Sequence, residues 1–536
     1  MGDAPRCAAA ESLLDAPTPA VISEEPPYSL TNELRYFFTV GMPLCASQIL
    51  KLGVPPFCTM IIAGHTSDSA SLQASLGFAR TLYNTVVMMP LMALCSYFAT
   101  VLPGCLGAGR LDRIPRYFWR SILMTSVFIL PAVTVLIYAE PVMLAVGVPR
   151  VNAVAVGVYA RLMIATCWLQ LLDNHLEALF INFKYVRLAT LNALLSGVGI
   201  NVGCSYLFVM HLELGMKGAA LAQLAAFAAR VLLWMAMLLG CGLTRTALLP
   251  PKGSGRTDPL VSLAETCVYF GQAAPQYGSM MAGWLIFELQ VVLLTNIPNV
   301  TLPMRSAGSV WINCEGTMAA IQSGWIQVAR MRALKLMGRR DPGASRSFAV
   351  LLLLATAVVT LVNVPLLTDA GGAALSRLLS NDPAVVHWFR GLVWVLIVHT
   401  QTRIVDLTCA SILVPMGWAR TRLAVIFTSF WLVGAPISIV GALTDALTTH
   451  MLTKLQLCML CAVIGQTINA VCYGGLLLQL DWGKAAHVIA ARANTDRSDT
   501  AGRSAGHGHG ATARLVAGDA PRSEPPAVHS IQQQQS

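Results

Sequence analysis

MAGWLIFELQVVLL (Met281–Leu294) carries one charge, Glu288, and apolar residues run for many positions on both sides of it. A run of this length and composition is long enough to span lipid. In lipid every backbone polar group must be satisfied within the segment, so the run reads as a helix. A carboxylate near the middle of such a helix costs about 3 kcal/mol or more, which marks Glu288 as a candidate functional group.

The rest of the chain is of the same kind. It has 536 residues, 55% hydrophobic and 12% charged, where soluble proteins carry about 25% charged residues. Apolar stretches recur at 36–62, 74–101, 117–138, 153–181, 186–210, 217–241, 268–297, 303–327, 347–368, 384–414, 422–443 and 455–480. The expected fold class is therefore an all-α integral membrane protein with 12 transmembrane helices. Residues 1–34 are polar and rich in Pro and Glu, with no apolar core, so the first helix itself is expected to start insertion. The fourteen cysteines lie mostly inside apolar runs (Cys45, Cys95, Cys167, Cys409, Cys461) and show neither metal-ligand nor disulfide spacing. They read as small core residues. The net charge of +10 reads as loops on one membrane face rather than a nucleic-acid surface.

One set of loops holds Arg110, Arg113 and Arg116, then Lys184 and Arg187, then Arg245, Lys252 and Arg256. The set continues with Arg330, Arg332, Lys335, Arg339, Arg340 and Arg346, then Arg420 and Arg422. The alternate loops hold single cations: Arg150, Lys217, Arg305, Arg377 and Lys454. By the positive-inside rule the first set faces the cytoplasm, with both termini on that side. The sequon Asn299-Val-Thr301 falls in an outer loop close to a helix end.

The chain also repeats. Pro43 pairs with Pro275 at an offset of 232, Gly109 with Gly338 at 229, and Val148 with Asp382 at 234. The shared offset implies two pseudo-symmetric six-helix lobes of equal orientation, an arrangement transporters use with the substrate site between the halves. The expected organisation is a disordered N-terminus (1–34), an N-lobe (35–241), a linker (242–266), a C-lobe (267–482) and a disordered tail (483–536). The tail's HGHG tract (His507–Gly510) reads as linker, and the GDAPR found at both ends has no evident role.

At this level the sequence resembles the multidrug and toxic compound extrusion (MATE) transporters, over roughly residues 33–482. VGMPLCASQIL (Val40–Leu50) is similar to the family's G-P-L-x-x-x-Q in helix one, and AGH (Ala63–His65) to V-G-H at that helix's end. LGAGRLDRIPRY (Leu106–Tyr117) resembles the G-A-G loop, and LGMKGAALA (Leu214–Ala222) the start of helix six. WLIFELQVVLLTNIPN (Trp284–Asn299) resembles the eukaryotic seventh-helix pattern. Arg330 before KLMG fits the arginine of the family's R-V-x-N-x-L-G-A-G loop, and WLVGAP (Trp431–Pro436) resembles Y-Y-x-x-G-x-P in helix eleven. There are departures. Gly283 stands where the family carries the first of two helix-seven glutamates; only Glu288 remains. Leu102-Pro103-Gly104 replaces C-G-Q, and Leu-Met-Gly replaces the second G-A-G. Fifteen residues before Trp418, where the family carries a helix-ten acid, stands Arg403; Asp406 lies three residues closer and matches if three residues are deleted.

The resemblance implies a secondary-active antiporter that exports organic cations or amphipathic metabolites by alternating access. No enzymatic activity or cofactor is implied, and the coupling ion is the proton before sodium. The chemistry needs an acid that holds either a proton or a cationic substrate: burial favours the protonated form, a nearby cation the ionised one. Glu288 is the leading candidate, followed by Asp406 and Glu315. Glu315 lies one turn past Trp311, where some animal members carry an acid. A permanent Arg403–Asp406 pair is the competing reading for Asp406. Asp173 and Glu177 share one helix face in LLDNHLEAL, with His175 between them as a residue able to titrate near neutral pH. Gln48 offers a neutral hydrogen bond, and Trp284, Tyr277 and Phe287 an aromatic wall for a cation.

The expected partners are the substrate and the bilayer, for a monomer in the plasma membrane or an acidic organelle. Two rivals remain: a lipid-linked precursor flippase of the same superfamily, for which Arg161 and Arg403 speak, and a transport-defective relative. An integral-membrane transferase would want a DDxxD-like cluster, and the chain has none.

Overall fold

The computed structural model describes residues 26–64, 66, 69–145, 148, 150–244, 248–249, 262–379 and 383–492. Most of the linker, the tail from 493 on with its HGHG tract, both GDAPR copies, Asp382, Arg245, Lys252 and Arg256 lie outside the described residues; the expected disorder at 30–34 and 483–492 is corrected, since helices cover Leu30–Tyr36 and Trp482–Arg492. Twelve long helical segments run through the rest: α1 Leu30–Ala63, α2 Ser75–Gly107, α3 Leu111–Ile137, α4 Arg150–Leu162 with Ile164–Asn182, α5 Val186–His211 and α6 Gly215–Gly240. They continue with α7 Leu263–Asn296 and α8 Leu302–Gly338, then α9 Ala344–Leu367, α10 Pro383–Leu413, α11 Ala419–Leu443 and α12 Met451–Leu478. The two parts of α4 are bent by 51°. No strand occurs among the described residues.

Two kinds of surface explain the assembly. Leu232, Leu239, Leu353, Leu361 and Leu478 are each about two-thirds exposed or more, as expected where lipid is the solvent. Inside, one apolar cluster lies within the N-lobe around Leu136 and Met163 in α3–α4, and another within the C-lobe around Leu396 and Cys458 in α10–α12; others join the halves, as where Val328 and Met331 of α8 pack with Phe98 and Phe180. The repeat is visible in the loops as well. α2 ends with Gly109 at φ +70 and an Arg110 N–H bond of 2.9 Å to Cys105 O; α8 ends with Arg340 at φ +60 and an Asp341 N–H bond of 3.0 Å to Leu336 O. The equivalent turn after α4 uses Lys184 at φ +70, and the one after α10 uses Gly417 at φ +98. These are the same left-handed helix ends 231 and 233 residues apart. The Gly109 turn therefore pairs with Arg340, two residues past the sequence-based match at Gly338.

The lobes join at the end that carries these loops. α8 packs on α1 and α2, and α7 on α2 and α3. The backbones touch there: a Cβ on Gly107 would lie 2.5 Å from Lys335 O, and one on Gly338 would lie 2.9 Å from Gly104 O. The structure corrects one expectation here. The sequence reading ends helix eight at 327 and places Arg330, Arg332 and Lys335 in a loop, whereas α8 runs on to Gly338. Arg332 is buried on Glu33, Lys335 donates to Asn182 O at 2.9 Å, and Arg330 reaches Thr100 Oγ1 at 3.5 Å. Each charge has a polar partner on the other lobe, so the last turns of α8 stay helical inside the protein.

Candidate functional site

Among the described residues, the candidate intramembrane acids fall into an N-lobe cluster, a C-lobe group and one isolated position. The N-lobe cluster is built where helices leave regular geometry. Lys51 lies in a π-helical turn of α1 (Ile49–Gly53), and Ser196 in one of α5 (Leu194–Val202). Such turns often mark functional positions. Lys51 Nζ lies 2.8 Å from Asp173 Oδ2, bonds Asn174 Oδ1 at 3.2 Å and pairs with Glu177. Asp173 also accepts from Arg230 Nη1 at 3.3 Å and Trp234 Nε1 at 2.7 Å. Arg230 Nε donates to Ser196 Oγ at 3.0 Å, and Gln48 Nε2 donates to Glu177 Oε1 at 2.9 Å. Asp173, Glu177 and Gln48 are thus brought together as their spacing suggests, with two cations balancing the two carboxylates. His175 takes no part. Its ring nitrogens bond Leu171 O and Ser121 Oγ at 2.8 Å, between Phe98 and Phe118.

In the C-lobe, α8 and α10 bring Glu315 against Arg403. His399 Nε2 lies 3.3 Å from the same carboxylate, and Phe287 and Trp311 flank its ring. Arg403 also sits 5.6 Å from the Phe287 ring centroid. The Arg403–Asp406 pair is replaced by Arg403–Glu315. Asp406 is buried and forms no ion pair among the described residues; Arg422, Arg403 and Asn469 are the polar groups acting on it. Asn469 in turn accepts from Ser429 Oγ at 2.6 Å.

Glu288 is the isolated acid. It is half-buried on α7, beside Thr85 in the π-helical turn of α2 (Asn84–Met88), hence at the boundary between lobes. It has no cationic partner among the described residues. Tyr277, earlier on α7, faces Phe128 of α3 with ring centroids 5.9 Å apart; Trp284, between Tyr277 and Glu288 in sequence, is half-buried. Gly283 leaves open space, with Phe430 4.0 Å from where its Cβ would be.

Lys51, Arg230 and His399 do not figure among the sequence-based candidates. The signal for the first two was present: each is the one charged residue in a long apolar run, the argument already applied to Glu288. Among the described residues no group of three or more His, Cys, Asp and Glu is placed to hold a metal ion.

Two six-helix lobes, related by a repeat, with buried acids inside each and a half-buried acid at their boundary, define a two-lobed multi-pass membrane protein. More narrowly, the chain has the fold of the MATE transporters. The eukaryotic MATE transporter AtDTX14 superposes with a TM-score of 0.76 at 15% identity, covering 86% of this chain and 99% of that one. A variant of the Vibrio cholerae MATE transporter VcmN gives 0.69 at 13% identity, covering 84% and 99%. In sequence, a probable multidrug resistance protein NorM of Burkholderia mallei is 24% identical over 181 residues, which is 34% of this chain and 38% of that relative's length. No family model matches the sequence.

Proposed function

We propose that the protein is a secondary-active exporter of organic cations or amphipathic compounds, driven by inward proton movement, with Glu288 as the exchange site. The observation that carries this reading is the contrast among the intramembrane acids. Asp173 and Glu177 are neutralised by Lys51 and Arg230, and Glu315 by Arg403. Of these acids Glu288 alone has, among the described residues, neither a cation nor full burial, and it stands at the lobe boundary. A carboxylate so placed can trade a proton for a cationic ligand as the lobes move. Phe287, Trp284 and Tyr277, on the same helix, supply aromatic surface for an organic cation. Asp406 is the second candidate, since its arginine neighbours leave it outside any ion pair.

The test is efflux of a fluorescent organic cation from proteoliposomes under an imposed pH gradient. The wild type is expected to show gradient-driven flux and Glu288→Gln to lose it. Equal flux by both overturns the role of Glu288 and moves the exchange site to Asp406 or Glu315.

A second reading has one observation in its favour. Arg330 and Arg422 are cations without an ion pair among the described residues, and each has a buried Nε that lacks a hydrogen-bond partner. Such groups suit an anionic ligand, as a flippase for a lipid-linked precursor would require. Binding of an anionic isoprenoid phosphate, with no cation flux, would select it.

A further inference from the structure

We propose that the two ends of the described chain form a reciprocal clasp that holds the lobes together at the basic-loop end, and that Glu33 and Arg332 are its positioning residues for the transport cycle. The inference rests on the two-lobed transport reading and names a device which that reading does not supply.

The first half of the clasp is the start of α1. Ser29 caps the helix, its Oγ accepting from Asn32 N at 3.2 Å, and so presents Glu33 on the first turn. α1 belongs to the N-lobe, yet Glu33 points into the C-lobe. Arg332 of α8 donates to it from Nε at 3.1 and 3.2 Å and from Nη2 at 2.7 Å. Ser347 of α9 donates to Glu33 Oε2 at 2.7 Å. Arg332 also donates to Pro26 O at 2.9 Å, and its guanidinium lies 5.4 Å from the Tyr36 ring centroid. The side chains are 0% and 1% exposed. Tyr28 lies against Gly343, where a Cβ would come within 2.3 Å of it.

The second half runs the other way. A short helix, Trp482–Arg492, follows α12 of the C-lobe and lies against both α8 and α2 of the N-lobe. Ala485, Ala486 and Ile489 are its buried face. Ile489 Cγ2 is 3.4 Å from where a Cβ on Gly104 would stand. Lys335 of α8 donates to Asn182 O at 2.9 Å, at the C-terminus of α4, and ties the same end.

Each lobe thus sends one terminal segment across to the other. If the lobes part at this end, Glu33 must leave Arg332 and Ser347, and both charges must regain water. While the end is shut, they are paired and dry. Removing one partner leaves the other charge buried alone, so it should favour the parted state. A purely structural pair would lower stability without biasing one state over the other.

The experiment uses the full-length protein in nanodiscs, with spin labels on bio-orthogonal residues at Arg187 and Arg346. Both are exposed, one in each lobe at the basic-loop end. Pulsed dipolar spectroscopy reads the distance distribution, and no substrate is needed. The wild type is expected to sit mainly at the shorter distance. Glu33→Gln and Arg332→Gln should move the ratio of long to short by about tenfold or more, equivalent to about 1.4 kcal/mol. Glu33→Asp should give a smaller shift, and deletion of 482–536 should shift the ratio the same way. Should the Gln variants fail to fold, Ser347→Ala and Arg332→Lys carry the test. Folded variants with an unchanged distribution overturn the clasp. A shifted distribution with no cation flux by the wild type sinks the export reading and keeps the clasp; normal flux with no shift sinks the clasp alone.

Discussion

Asp173 in α4 and Asp406 in α10 occupy the same place in the two lobes, 233 residues apart, and they have opposite surroundings. The repeat extends to their neighbours. Ser196 and Ser429 are also 233 apart, each in a π-helical turn; Arg230 corresponds to Asn469, and Trp234 to Tyr473, at 239. Lys51 of α1 corresponds to Gly283 of α7 at 232. At each position where the N-lobe supplies a cation, the C-lobe has a neutral residue. Equivalent acid positions of the repeat thus belong to a closed ion network in one lobe and, among the described residues, stand outside any ion pair in the other. A buried charge that is fully paired is expensive to disturb. An acid free of such a pair can change partners, which is why the proposal puts exchange on α7 and α10 rather than α4.

The comparison breaks most visibly at Lys51. Lys51→Met leaves the two carboxylates with one cation, Arg230, which pairs with Asp173. The expected cost is about 3–5 kcal/mol, seen as a lower unfolding temperature in detergent. Adding Glu177→Gln should recover part of it, because the second uncompensated charge is gone. A Lys51→Met protein as stable as wild type would mean that the N-lobe network is not what separates the lobes.

Asp406→Asn is the matching change in the C-lobe. It removes a charge that no ion pair holds, so stability should change by no more than about 1 kcal/mol. Gradient-driven flux in proteoliposomes should fall nonetheless. Asp173→Asn should show the reverse ranking, with the larger loss in stability. If the two variants lose equal stability, the inequality of the two acids is refuted.

The helices were legible because lipid imposes them: a long apolar run has no other way to satisfy its backbone. The repeat was legible too, through motif matches at similar offsets, although the structure moves the partner of Gly109 from Gly338 to Arg340. The site was legible only in part. Spacing put Asp173 and Glu177 on one face, but no local pattern reveals that Lys51, more than a hundred residues earlier, lies between them. The basic stretch at the end of α8 misled for a related reason. Arg332 and Lys335 have the composition of a loop, and what keeps them in a helix is Glu33 and the Asn182 carbonyl on the opposite lobe. Positive-inside counting registers charge and is blind to such partners.

The smallest effect sharpens the comparison in the loops. The turn after α2 has Gly109 at φ +70, and its counterpart after α8 has Arg340 at φ +60. Left-handed backbone suits glycine at this position, and a residue with a Cβ is strained there. Arg340→Gly should therefore stabilise the detergent-solubilised protein by about 0.5–1 kcal/mol, partly offset by the freer unfolded chain. Gly109→Arg should lose a similar amount. The pair after α4 and α10 should be less even, since Gly417 at φ +98 lies outside the small left-handed region open to other residues. Gly417→Lys should thus cost more than Lys184→Gly gains. If Arg340→Gly is more stable yet biases membrane topology less, as read by the accessibility of tags at each end, then the cation holds that turn for its charge and against its conformation.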